Sequence, residues 1–87
     1  MWRVTTDAID WETFPGEELA LVKAKIDELA AAGLTDPEYI QDPTQLPDGL
    51  QQRQRNFTTL ISAQDYANFI NQLPSDLVNV VSIEEIV

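Results

Sequence analysis

The sequence predicts one small α+β domain with the order β-α-β-α-β, in which two helices cover one face of a three-stranded sheet. Three observations predict it. The chain has 87 residues, of which 44% are apolar, enough for a single modest core. Two segments repeat apolar residues at helical spacing. Three further segments either alternate with a period of two or are rich in β-branched and aromatic residues.

The first half of the chain predicts one strand and one helix. Trp2 to Thr6 holds β-branched and aromatic residues, which favour a strand. A helix is expected over residues 15–32, with Thr13 as its N-cap and Gly33 at its end. One apolar stripe follows the length of this helix: Leu19, Val22, Ile26 and Leu29.

Residues 33–51 predict a long irregular loop. Thr35 and Glu38 have the spacing of a capping box, which would open a single helical turn ending near residue 41. Asp42-Pro43 blocks continuation of that turn, because the residue before a proline is kept out of the helical region. We therefore expect at most one more short turn before the next strand.

The second half predicts strand, helix and strand, with the first strand of the chain between these two strands or at an edge. Residues 52–58 alternate with a period of two. Ser62 is the expected N-cap of a helix that ends before Pro74. Residues 78–86 are β-branched, and their imperfect alternation indicates either a bulge or burial on both faces. The sheet face opposite the helices has no cover within this chain, so we expect a partner or a polar surface there.

Acidic residues dominate the charge of the chain. Fifteen acids and five bases give a net charge of −10, and residues 1–48 alone hold eleven acids and three bases. Direct binding to nucleic acid is not expected, because it requires clustered Lys and Arg. An acidic surface suits a basic protein partner, or serves only to keep the protein in solution. No apolar run reaches the roughly 18–20 residues of a membrane span, and no signal peptide is recognisable, so we expect no membrane partner and a soluble intracellular protein.

Enzymatic activity is not expected. The chain has no His and no Cys, which removes the usual general base and the thiolate nucleophile. No phosphate-binding or dinucleotide-binding glycine motif occurs. Asp7, Asp10 and Glu12 do not have the spacing of a calcium-binding loop. We therefore predict no catalytic residue, no cofactor and no metal site.

Arg53 and Arg55 are the most unusual pair in this acidic chain, and Phe57 follows at the same spacing. On a strand, these three side chains share one face at intervals of about 6–7 Å. One hypothesis is a contact with an anion or an acidic peptide, with Phe57 beside it. The other places Phe57 in the core, while the arginines discourage edge pairing or neutralise Glu84 and Glu85 on a neighbouring strand.

One tryptophan and four acids complete the candidate interaction residues. Trp11 is either an interface hot spot or a lid over the first helix together with Phe14. The predicted first helix carries acids that could face a basic partner: Glu17, Glu18, Asp27 and Glu28.

The segment RNFTTLISAQDYANFINQLPSDLVNVVSIEEI, within residues 53–86, resembles small uncharacterised proteins of tailed bacteriophages. In these, an arginine-rich strand with an aromatic residue precedes a helix that starts with Ser or Thr, and a β-branched strand follows. The resemblance implies a viral accessory protein, either a small virion component or a modifier of a host protein. It carries over no catalytic residues.

Three functions are compatible with these patterns. The first is a non-enzymatic interaction protein that contacts a partner, or a second copy of itself, through the sheet face, the strand edges and the 33–51 loop. The second is an acidic nucleic-acid mimic that inhibits a DNA- or RNA-binding host protein, which requires the acids to cluster on one side. The third is a small ligand-binding protein, which requires a deep pocket containing Arg53 and Arg55 with a converging carboxylate.

Overall fold

The computed structural model of the protein describes residues 1–39 and 43–86. Its elements are β1 (Trp2–Ala8), α1 (Gly16–Ala31), β2 (Thr44–Gln45), β3 (Gln51–Phe57), α2 (Leu60–Asn71) and β4 (Val78–Glu85). The strands form one antiparallel sheet in the order β2-β3-β1-β4. The α+β class is confirmed, whereas the predicted three-stranded sheet lacks one strand.

The additional strand lies within the predicted 33–51 loop. The two residues of β2 pair with the first two residues of β3, and Thr35 forms an isolated bridge with Phe57. No helical turn follows Thr35 over residues 35–39, and the rest of that predicted turn lies outside the described residues. The Thr35 hydroxyl does not cap a helix because it donates to the carbonyl of Asn56 at 2.7 Å. Pairing with β3 thus supplies hydrogen bonds that the loop would otherwise take from water.

β1 occupies the centre of the sheet, between β3 and β4. It is antiparallel to both, so β3 and β4 run in the same direction without pairing with each other. The segment from β3 through α2 to β4 is therefore a β-α-β unit into which β1 is inserted. The N-terminal strand holds the two halves of this unit together.

A bulge causes the irregular alternation of β4. The register of β4 against β1 shifts between Thr5 and Thr6, which leaves Val81 without a partner on β1. One extra residue exchanges the two faces of a strand. Val80 and Ile83 therefore lie on the same side of the sheet, although an odd number of positions separates them.

One core cluster joins both helices to the same face of the sheet. Its buried members are Val4, Ala8, Phe57 and Val78 from the strands, Val22, Ile26 and Leu29 from α1, Ala63, Tyr66, Ala67 and Ile70 from α2, and Phe14. Within this cluster, the centroids of the Phe57 and Tyr66 rings lie 5.1 Å apart. Burial of each large apolar side chain contributes about 1.5–3 kcal/mol, which makes this cluster the main stabilising feature of the domain.

The helix starts differ from the predicted caps. α1 follows Pro15 without a side-chain cap, because the Thr13 hydroxyl bonds within the preceding turn. Thr59, not Ser62, caps α2, and its Oγ1 accepts from the Ser62 backbone nitrogen at 3.1 Å. Gly33 follows the end of α1 with a φ of 73°, a left-handed conformation that favours glycine and agrees with its predicted role as a stop.

Candidate functional site

The sheet face opposite the helices is polar. The strand residues on this face are Arg3, Thr5, Asp7, Gln52, Gln54, Asn56, Asn79, Ser82 and Glu84. They contact one another across the strands: Gln52 Nε2 donates to Asp7 Oδ1 at 3.1 Å, and Arg3 Nε donates to Asn56 Oδ1 at 3.4 Å. Of the two expectations for this face, a polar surface is the one found. Its strand residues offer no apolar patch to a partner.

Arg53 and Arg55 lie on the core-facing side of β3, not on this polar face. They share their side with Phe57, which is fully buried, and they are only 9% and 5% exposed. Arg3 is the arginine that lies near Glu84, at 4.0 Å. The prediction that Phe57 belongs to the core is confirmed. The prediction that the β3 arginines neutralise Glu84 and Glu85 or guard an open edge is wrong, because their side chains enter the interior.

Arg55 fastens residues 35–39 to the sheet. Its Nη1 donates to the Asp36 carbonyl at 2.7 Å and to Thr35 Oγ1 at 3.3 Å. Its Nη2 donates to the carbonyls of Glu38 and Tyr39. Backbone carbonyls thus serve as partners for the buried charge, in the place that a carboxylate usually takes.

Arg53 is less completely paired than Arg55. Its Nη2 donates to Gln51 Oε1 at 2.6 Å, and its guanidinium carbon lies 4.4 Å from the centre of the Trp11 ring. Its Nε and Nη1 are buried and have no hydrogen-bond partner among the described residues. Burial lowers the pKa of Arg53, and the charge of Asp10 opposes that effect. Trp11 therefore lies over Arg53, whereas the prediction placed it over the first helix together with Phe14.

A cavity of about 20 Å³ adjoins the two arginines. Its lining residues are Val4, Thr6, Trp11, Tyr39, Arg53, Gln54, Arg55 and Tyr66. Burial raises the pKa of Tyr66, against the opposing charges of Arg55 and Arg53, so the phenol is protonated at neutral pH. The volume suits a species the size of a water molecule, and no carboxylate stands among these lining residues. This cavity is much smaller than the pockets that bind enzyme substrates or drug-sized ligands.

The four predicted acids of the first helix do not join this cavity. Glu17, Asp27 and Glu28 are exposed and Glu18 is half-buried. Tyr39 Oη donates to Asp27 Oδ1 at 2.6 Å, and this hydrogen bond raises the pKa of Tyr39. Lys25 Nζ lies 2.8 Å from Asp65 Oδ2 on α2 and 3.2 Å from Glu28 Oε2. The hydrogen bond to Asp65 raises the pKa of Lys25, and burial opposes it.

Acidic side chains lie on both sides of the domain. Glu17 and Asp27 are exposed on α1, on the helical side, whereas Asp7 and Glu84 belong to the polar face of the sheet. A mimic of nucleic acid needs its negative potential concentrated on one surface. This distribution does not favour the mimic.

β4 forms a free edge of the sheet. Within the described chain no strand pairs with its outer side, and its length is eight residues. Val81 and Ile83 on this strand are 54% and 37% exposed. Such an edge presents a row of backbone donors and acceptors together with apolar side chains, which is what a binding strand requires.

The opposite edge of the sheet is less available. β2 has only two residues, and the carbonyl of Leu34 accepts from the Thr58 backbone nitrogen at 3.0 Å just beyond the end of β3. Sequence reasoning did not single out β4, because the hydrophobic pattern does not fix the order of strands. The β-branched Val81 and Ile83 on a strand of irregular alternation were the available signal.

In residues 1–39 and 43–86, no helix combines the length and apolar character that crossing a membrane requires. The same residues contain no group of three or more side chains arranged to hold a metal ion. Comparison of the chain with protein-family models, with curated proteins and with solved structures finds no match.

Proposed function

We propose that this protein is a non-enzymatic interaction module that binds a basic, extended segment of another protein by strand addition to β4. The observation that carries the proposal is the free outer edge of β4, where Val81 and Ile83 are exposed. In strand addition, main-chain hydrogen bonds supply affinity and alternate side chains supply specificity. The polar sheet face, whose side chains already bond to one another, leaves the edge as the better candidate surface.

Charge determines the kind of partner. β4 ends in Glu84 and Glu85, both exposed, and the whole chain carries −10. An incoming strand with Lys or Arg at alternate positions would be attracted to this edge and oriented by it. The same charge works against edge pairing between two copies, so a different protein is the proposed partner rather than a homo-oligomer. The resemblance to phage accessory proteins would make that partner a host protein or a virion component.

The bulge at Val81 adds selectivity. A bulge bends and twists an edge, and it is one of the devices that keep edges from pairing indiscriminately. It divides β4 into the stretch before Val81 and the stretch from Ser82 to Glu85. A partner strand that matches both stretches must accommodate the twist, which restricts the peptides that fit this edge.

Selection of peptides from a random library tests the proposal. Immobilised protein should enrich segments that alternate β-branched with basic residues, and a selected peptide should shift the NMR signals of β4. Ile83→Lys should weaken that peptide at least about tenfold, because it adds a positive charge and removes an apolar contact at the edge. Val81→Lys serves as a second variant at the bulge, where a long side chain has room.

Ile61→Lys is the matched control. Ile61 is 80% exposed on α2, so the substitution has the same chemistry on a different element. Binding should be retained in this variant. The proposal is wrong if no basic peptide is enriched, if the selected peptides shift signals elsewhere and leave β4 unchanged, or if Ile61→Lys weakens binding as much as Ile83→Lys.

A further inference from the structure

We infer that the cavity beside Arg53 is a binding site for one small monovalent anion of halide size. This site lies on the core-facing side of the sheet and is independent of the proposed β4 function. Three observations support it: an incompletely paired buried cation, a cavity that adjoins it, and a lining whose described residues offer donors and no carboxylate.

The buried cation is the strongest of these observations. Arg53 is 9% exposed, and neither its Nε nor its Nη1 has a hydrogen-bond partner among the described residues. A buried charge without a partner is costly, so such groups in proteins are normally paired with an opposite charge. Gln51 and Trp11 contact the guanidinium, but neither carries a negative charge.

The neighbours of Arg53 reinforce the positive potential. Arg55 lines the same cavity, and its partners in the described chain are carbonyl and hydroxyl oxygens, which carry no formal charge. The Asp10 carboxylate acts on Arg53 through its charge but does not stand among the lining residues. An anion in the cavity would therefore lie beside two positively charged side chains.

Hydrogen-bond geometry sets how the anion is held. Nε and Nη1 lie on different edges of the planar guanidinium, so a single anion accepts a hydrogen bond from only one of them. The protonated phenol of Tyr66 in the cavity wall can supply a second donor. Among the described residues, no acceptor with a formal negative charge lines the cavity to repel the anion.

The size of the cavity limits the ligand. A volume of about 20 Å³ accommodates a single water-sized species. Chloride and bromide are of this class, whereas phosphate, with four oxygens, would require the lining to move. Trp11 and Tyr39, both half-buried, stand at the cavity and give the site a fluorescent reporter.

Chloride-35 NMR tests the inference directly. The protein should broaden the chloride signal, and bromide should reverse the broadening by competition. Arg53→Met should abolish the broadening. Arg3→Met should keep it, because Arg3 belongs to the polar face and the substitution changes the net charge equally. Loss of broadening in both variants, or its presence in Arg53→Met, would overturn the inference.

Thermal unfolding gives an independent measurement at constant ionic strength. Gluconate is replaced by chloride at ten times the dissociation constant of chloride. The midpoint of thermal unfolding should then rise by about 6–10 °C in the wild type and in Arg3→Met. Equal midpoints in the two salts would contradict the site. If Arg53→Met does not fold, a crystal soaked in sodium bromide decides the question. An anomalous peak beside Arg53 supports the site, and a water molecule there overturns it.

Discussion

Replacing Arg55 with Met should lower the free energy of unfolding by about 2–3 kcal/mol. Met keeps an apolar stem in the interior but removes the donors to the oxygens of Thr35, Asp36, Glu38 and Tyr39. A hydrogen bond from a charged donor contributes about 1.5–3 kcal/mol. Two effects offset part of the free energy lost with these hydrogen bonds. The variant no longer buries a charge, and the exposed Asp36 and Glu38 can recover hydrogen bonds to water. The remaining loss is a large fraction of the roughly 4–13 kcal/mol typical of a domain of this length.

Urea unfolding followed by tryptophan fluorescence measures this loss. Arg3→Met is the matched control, because its contacts are one hydrogen bond at 3.4 Å and one ion pair at 4.0 Å on the open face. It should cost less than about 1 kcal/mol. In Arg55→Met, the backbone amides of residues 34–39 should also exchange with deuterium faster than in the wild type. A variant as stable as the wild type, with unchanged exchange in that segment, would refute the assignment of Arg55 as the anchor of the segment.

Three further outcomes are expected. Burial raises the pKa of Tyr66, so the stability that Tyr66 contributes is complete below about pH 10 and is lost as the pH rises through the folded-state pKa. Tyr66→Phe should therefore lose less of its urea midpoint at alkaline pH than the wild type does. A wild-type midpoint that already falls below pH 9 would contradict this. Gly33→Ala should lower the free energy of unfolding by about 1–2 kcal/mol, because Gly33 has a φ of 73°. Gly16→Ala at the start of α1 should be neutral or stabilising. Equal effects of the two substitutions in thermal unfolding would contradict this reasoning. Thr59→Ala should cost about 1 kcal/mol by removing the N-cap of α2, and an unchanged urea midpoint would exclude that role.

The two helices and the three longer strands of this chain are predictable because each carries a local pattern, either apolar periodicity or β-branched and aromatic content. The stripe at Val22, Ile26 and Leu29 predicts α1, and these three residues are the ones it buries. The β-branched C-terminal segment predicts β4, and its broken alternation predicts either a bulge or burial on both faces, of which the bulge is found. In α1 the apolar side chains that produce the pattern also fill the core, whereas in β4 only Val78 is buried.

β2 and the strand order have no such signal. Thr44 and Gln45 are exposed polar residues, and their pairing depends on the position of β3 rather than on their own side chains. The free edge of β4 follows from the order of the strands in the sheet. That order is determined by contacts between residues far apart in the sequence. Local pattern therefore identifies the elements but not the edge that we propose as the binding surface.

The sequence contains a signal for the orientation of Arg53 and Arg55, but that signal conflicts with the rule that charged residues lie at the protein surface. Charged residues rarely lie in a core, which favoured a solvent-facing Arg53 and Arg55. Phe57, however, has the same parity on the strand and was expected in the core. Giving more weight to the aromatic than to the charges would have placed both arginines inside. What the sequence alone could not supply is the set of carbonyls in residues 36–39 that makes burial of Arg55 possible.

Backbone amide exchange along β4 in the presence of a selected basic peptide tests the central claim most directly. In a strand, alternate amides point toward the open edge. Strand addition therefore predicts new protection at alternate residues within Val78–Val80 and within Ser82–Glu85, with the alternation interrupted at the Val81 bulge. Little change is expected on the outer surface of α1. Protection confined to α1, or to the polar sheet face with the outward amides of β4 unchanged, would contradict the claim that this edge is the binding surface.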